Sequence, residues 1–195
     1  GTPYHTKAFA LVGGSEIYAP EVPRLVLGNL VFFAVWDPEH GHELWVTDCT
    51  DTGTKLLKDI YPGSNSSNAV PLVAFGGKVL FRASDFEHGE ELWITNGTEE
   101  GTRLFKDINS GPEDSQPNCA VALRDLVVFA AYEPLHGREL WVTDGTQQGT
   151  RLLKDIRPGA EGSNPTIFPA GPDCCFVTTS RGQNRVEVWV TDGTE

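Results

Sequence analysis

The sequence predicts an all-β fold, a β-propeller of four blades, from an internal repeat, from strand-and-turn content in every repeat, and from the absence of helical periodicity. Trp45, Trp93, Trp141 and Trp189 are each 48 residues from the next, and Gly53-Thr54, Gly101-Thr102 and Gly149-Thr150 keep the same step. A period in this range marks a repeat architecture. Four short strands in about 48 residues is the content of one propeller blade.

The second repeat shows the elements in order. AVPLVAF (69–75) reads as a first strand, broken by Pro, and KVLFRASD (78–85) as a second, rich in apolar and β-branched residues. EELWITNG (90–97) alternates, with Leu92 and Ile94 on one side and Glu91, Trp93 and Thr95 on the other. TRLFKDI (102–108) is the fourth strand. Gly76-Gly77, His88-Gly89 and Asn96-Gly97 are the turns between them. Blades are covered on both faces by their neighbours, so the four tryptophans are expected to be buried wedges between blades.

The repeats run 1–52, 53–100, 101–148 and 149–195, as a single domain over 1–195. In this phase the chain opens on the last strand of a blade and ends after the third strand of its final blade. Residues 1–10 are therefore expected to pair with the last blade and close the ring, which removes exposed sheet edges. Two alternatives remain: the same strand docks on a neighbouring molecule and builds a filament, or the chain is an excerpt of a longer array. PYHTKAFALV, the opening strand, lacks the KDI of its counterparts.

Bulk properties narrow the function. A formal charge of −12 and no basic stripe oppose nucleic-acid binding. No apolar run approaches the ~18 residues of a membrane span, so no membrane insertion is expected. The chain lacks Met and begins at Gly1, which reads as a processed or trimmed start.

The motif Glu139-Leu140-Trp141-Val142-Thr143-Asp144-Gly145-Thr146 is repeated at Glu91–Thr98 with Asn for Asp; Cys49 replaces its Gly in the first copy and Val188 its Leu in the fourth. The sequence thereby resembles the ELWxxDGT repeat family over essentially its whole length. The resemblance implies a secreted or cell-surface protein. It implies no shared activity and nominates no catalytic residue.

The repeated polar residues suit structural roles. His40, His88 and His136 each precede a turn Gly, with Asn184 at the fourth position. Equivalent turns on different blades lie too far apart to share one metal ion, so a turn role is expected. Lys58-Asp59, Lys106-Asp107 and Lys154-Asp155 recur beside Ile, together with Glu43, Glu91, Glu139 and Glu187. A catalytic pair should occur once; repetition points to strand pairing or loop hydrogen bonds. Asp48, Asn96, Asp144 and Asp192 suit turn capping, and a DGT turn offers too few oxygens for calcium. No GxSxG, GxxxxGK[ST] or GxGxxG appears, so no enzyme, metal or cofactor is predicted.

Asn65-Ser-Ser and Asn96-Gly-Thr are glycosylation signals, whereas Asn164-Pro-Thr is excluded by its Pro. Of the four cysteines, Cys119 is expected to bridge to Cys174 or Cys175, stapling the last two blades; Cys175 takes the place of Val79 and Val127. Cys49, on a protruding turn, is expected to stay free or to link to another chain, since closed packing is expected to leave that turn far from the second strand of the fourth blade. The composite expectation is a non-catalytic, extracellular structural or adhesive module. Its partners would be copies of itself or other extracellular proteins, and it would carry N-linked glycans. A lectin-like or other ligand-binding propeller is the alternative.

Overall fold

Short runs of β-branched and aromatic residues separated by Gly turns pair most readily with the next run along the chain, which gives antiparallel meanders. The computed structural model describes residues 24–180 and 186–194, and there the chain forms four such sheets. The first holds β1 (Arg24–Leu27), β2 (Leu30–Asp37), β3 (Gly41–Thr47) and β4 (Lys55–Leu56). The second holds β5 (Val70–Phe75), β6 (Lys78–Asp85), β7 (Gly89–Thr95) and β8 (Arg103–Lys106). The third holds β9 (Asn118–Ala122), β10 (Val127–Glu133), β11 (Gly137–Thr143) and β12 (Arg151–Lys154). The fourth holds β13 (Thr166–Pro169), β14 (Cys175–Ser180) and β15 (Val186–Thr191). In each sheet neighbours in sequence are neighbours in space.

Register gives each sheet two distinct faces. In the second sheet Phe81 lies opposite Trp93, and Val79 opposite Thr95; Leu80 lies opposite Ile94 on the other face. The Phe81 face packs on Phe32, Leu44 and Val46 of the first sheet. The Leu80 face, with Leu92 and Ile94, packs on Val127, Phe129 and Trp141 of the third. Val128, Leu140 and Val142 then meet Ile167, Cys175 and Val177 of the fourth. Three apolar layers thus join consecutive sheets. Among the described residues none joins the fourth sheet to the first, and the expected closing strand, residues 1–10, lies outside them.

Three tryptophans are buried as expected: Trp45, Trp93 and Trp141 are 8 %, 6 % and 8 % exposed. Trp189 is not; it is 41 % exposed. The cause is the outer strand. Trp45, Trp93 and Trp141 lie beside Leu56, Leu104 and Leu152 of β4, β8 and β12, whereas no described strand flanks the outer edge of β15. Trp141→Ala should therefore lower unfolding free energy by ~3–5 kcal/mol, and Trp189→Ala by less than half as much, in chemical denaturation. Equal losses at both positions would contradict this account of how the indoles are covered.

Candidate functional site

The Asp or Asn that opens each turn after the third strand is placed by the same local chemistry. After β7, Asn96 Oδ1 accepts hydrogen bonds from the Thr98 N–H (3.0 Å) and hydroxyl (2.8 Å). Thr98 Oγ1 in turn accepts from the Gly101 N–H, and the Thr102 hydroxyl donates to the Thr98 carbonyl. Asp48, Asp144 and Asp192 cap Thr50, Thr146 and Thr194 in the same way. The Asp-to-Asn change at 96 is tolerated because the cap uses only an acceptor oxygen. Those Thr hydroxyl bonds hold the carboxyls of Asp48, Asp144 and Asp192 below the usual value.

The turn between the second and third strands is built on His. Asp85 Oδ1 accepts from the N–H groups of Glu87 and His88, and the His88 ring bonds the same carboxylate. Asp37 with His40 and Glu133 with His136 repeat the arrangement. The next residue must be Gly. Gly89 has φ +66°, and a Cβ there would lie 2.7 Å from the Pro112 carbonyl. Contact with Asp85 raises the pKa of His88, and contact with Asp37 raises that of His40. The three histidines therefore have the expected turn role, and no group of three potential metal ligands occurs among the described residues.

The ELW carboxylates have the most consequential role. Glu91 is fully buried on β7. It accepts from the backbone N–H groups of Ile108 (2.8 Å), Asn109 (3.2 Å) and Ser115 (3.0 Å) and from the Ser115 hydroxyl (2.6 Å). Glu43 binds Ile60, Tyr61 and Ser67, and Glu139 binds Ile156, Arg157 and Ser163, in the same pattern. The donors lie on the connection to the next sheet. These carboxylates are occupied by loop backbone, one of the two roles expected from their repetition. The neighbouring Lys58 reaches the next sheet instead, donating to the Thr102 carbonyl.

The remaining predicted site residues are dispersed. Asn65 and Asn96 are exposed, in a connection and a turn respectively. All four cysteines are free thiols: Cys49 is exposed, Cys119 and Cys174 are half-buried, and Cys175 is buried. Cys119 and Cys175 border the same apolar layer, without the expected bridge. Burial pushes the Cys175 thiol up to about 11.

Two features were not anticipated, and the first is marked by a departure from the repeat. Arg82 stands where Ala34, Ala130 and Thr178 stand elsewhere, and Glu90 where His42, Arg138 and Val186 stand. Arg82 Nε and Glu90 Oε1 form an ion pair at 2.9 Å. Asp114 accepts from the Glu90 N–H, and Arg138 donates to the Gln116 carbonyl. Burial raises the Glu90 pKa, against the pull of Arg82. This group is unique among the described repeats, but its charges are matched. A cavity of about 180 Å³ between the second and third sheets, lined by Phe75, Lys78, Leu80, Ile94, Asp144 and Gly145, is smaller than the roughly 300–1,000 Å³ of ligand pockets. The second feature is an apolar face on the fourth sheet. Phe168, Phe176, Val188 and Val190 are 47 %, 44 %, 66 % and 63 % exposed. Phe168, Phe176 and Val190 lie in one cross-strand row.

No family profile and no curated protein matches the chain. In fold it is similar to TolB from Acinetobacter baumannii, with TM-score 0.53 and 12 % identity, over 84 % of this chain and 38 % of that one. It is also similar to prolyl oligopeptidase B from Galerina marginata, with TM-score 0.52 and 16 % identity, over 85 % of this chain and 23 % of that one. Oligopeptidase B from Leishmania major gives TM-score 0.52 and 12 % identity, over 88 % and 24 %. The chain spans well under half the length of each. At such identities the likeness concerns the fold alone, which is of the β-propeller type.

Burial raises the Glu91 carboxyl from 4.5 to about 7, with the Ser115 hydroxyl opposing it; Glu43 moves in the same direction for the same reason. Between these values the folded chain holds a proton that the unfolded chain has released, so stability falls as pH rises from about 4.5 to about 7. The Glu91 share is at most roughly 3 kcal/mol. Urea denaturation across this range should show the decline, and Glu91→Gln should flatten it. Glu91→Ala should cost ~3 kcal/mol or more by orphaning buried N–H groups.

Proposed function

We propose that the chain is a four-bladed propeller module with non-catalytic structural or adhesive work outside the cell, as one unit of a larger surface or filamentous assembly. The observation that carries this reading is the use of its polar residues. The buried ELW glutamates bind backbone of the following connection, the Asp, Asn and Thr side chains of the turns bind turn backbone, and the histidine rings bond the carboxylate of their own turn, while the exposed chemistry of the fourth sheet is apolar. A catalytic site needs groups free to meet a substrate. The outer edge of β15 is where residues 1–10 would add the fourth strand of the last blade. Resemblance to the ELWxxDGT family supports a secreted or surface location, and the exposed Asn65 and Asn96 are the proposed glycan positions.

The alternative, a ligand-binding propeller, draws on the unrepeated Arg82–Glu90 pair. Saturable binding of an oligosaccharide on a glycan array, lost in Arg82→Ala, would favour it over the structural reading; no binding across the array is the expected result. In protein made in a eukaryotic secretory pathway, deglycosylation should shift the masses of the peptides holding Asn65 and Asn96. Unshifted peptides from that source would remove the glycan proposal.

A further inference from the structure

Two series of positions meet wherever two sheets stack. One is the start of the second strand, which on the 48-residue step holds Leu30, Lys78, Leu126 and Cys174. The other is the turn after the third strand, which holds Cys49, Gly97, Gly145 and Gly193. A Cβ on Gly97 would lie 2.8 Å from Leu30 Cδ1 of the preceding sheet. A Cβ on Gly193 would lie 2.7 Å from Leu126 Cδ1 and 3.6 Å from Leu126 Cβ. At the junction between these, Gly145 sits over Phe75 and shares a cavity with Lys78. Two of the three turns therefore seat at the start of the second strand of the sheet before them, and the third seats on Phe75, at the end of the first strand beside it.

Cys49 and Cys174 are the end members of the two series. Cys49 belongs to the first sheet, on the side turned away from the second; Cys174 belongs to the fourth, on the side turned away from the third. A Cβ built on Gly193 would stand 3.6 Å from Leu126 Cβ, within the roughly 3.5–4.5 Å of a disulfide; at the other two junctions the corresponding Cβ lies beyond 4 Å. Cys49 also holds φ +69°, a conformation disfavoured for a residue with a side chain, where the other repeats have Gly.

We propose that Cys174 of one molecule and Cys49 of a second copy form a disulfide across a junction in which the first sheet of one stacks on the exposed face of the fourth sheet of the other. The face itself supports this. Phe176, Val188 and Val190 are the 48-step counterparts of Phe32, Leu44 and Val46, of Leu80, Leu92 and Ile94, and of Val128, Leu140 and Val142; those three sets are 0–3 % exposed, under the next sheet. The junction would continue an interface the chain already makes three times. Phe176, Val188 and Val190 are exposed, as is Cys49, and the first sheet of a second copy offers the turn and strand pattern that continues this stacking. Cys175, on the opposite face, stays in the core.

The inference rests on the assembly reading and names its partner. With oxidised glutathione as oxidant, one thiolate attacks the glutathione disulfide and releases one glutathione thiol. The second thiolate then displaces the other glutathione, so two thiols lose two electrons and two protons and two glutathione molecules are formed.

The test is to oxidise a mixture of isotopically light and heavy full-length chains with glutathione disulfide, followed by non-reducing electrophoresis and peptide mapping. The expected result is a covalent oligomer whose linked peptide joins Cys49 and Cys174 with mixed labels. Cys49→Gly and Cys174→Leu, each restoring a residue the repeat uses elsewhere, should abolish the band while leaving the melting curve intact; Cys119→Ser should leave the band in place. A Cys49–Cys174 peptide confined to one label overturns the second copy, and a Cys49–Cys49 peptide or no oligomer overturns the pairing. The glycan-array result is independent, so failure of the structural reading is distinguishable from failure of this bridge.

Discussion

The fold depends on a carboxylate buried in each of its first three sheets. A connection between two sheets carries backbone N–H groups that strand pairing cannot use, and leaving them buried and unpaired would cost about 1–3 kcal/mol each. Glu43, Glu91 and Glu139 each gather three such groups and one Ser hydroxyl. Desolvation makes the position unfavourable for a charge, as the raised pKa of Glu91 shows. The bonds offset that penalty and give the connection one path. The path sets where the next sheet begins, and so the stacking of Phe81 on Phe32 or Phe129 on Leu80.

The threonine-rich turn and the His turn act at the two ends of the same strand. Each closes on itself, through Thr98 and Thr102 at one end and Asp85 with His88 at the other. Their glycines do different work. Gly89 admits the following connection against the backbone, whereas Gly97 admits the side chain of Leu30 from the neighbouring sheet. One turn is thus shaped by the connection that follows it and the other by the preceding sheet, which is why a cysteine in the second kind reports on what stands beside the sheet.

Much of this architecture is legible in the sequence. The 48-residue step, the strands of the second repeat and the acceptor role of Asp or Asn before the turn all come from local patterns that recur. The assignment of Glu91 to loop backbone is one of two open choices at that level, because its donors lie 17 to 24 residues away and no local pattern marks them. The exposure of Trp189 is not legible, because it depends on the flanking strand as well as on the place in the motif. The Arg82–Glu90 pair escapes for a related reason: a pattern drawn from what repeats passes over what does not. The face formed by Phe176, Val188 and Val190 is apolar in sequence, as are its three counterparts, and only the stacking order distinguishes them.

Each carboxylate clamps chain that comes after it, never before. Glu43 meets the last of its donors at Ser67, 24 residues later, so a chain emerging from a ribosome completes each clamp before the next ELW strand is finished. The sheets can thus be set in order from the N-terminal side, each handing its successor a starting point. The clamp and its target together occupy half of one repeat. A duplication that copies the whole unit carries both, and an array of this kind can lengthen by copying without new pairings being invented.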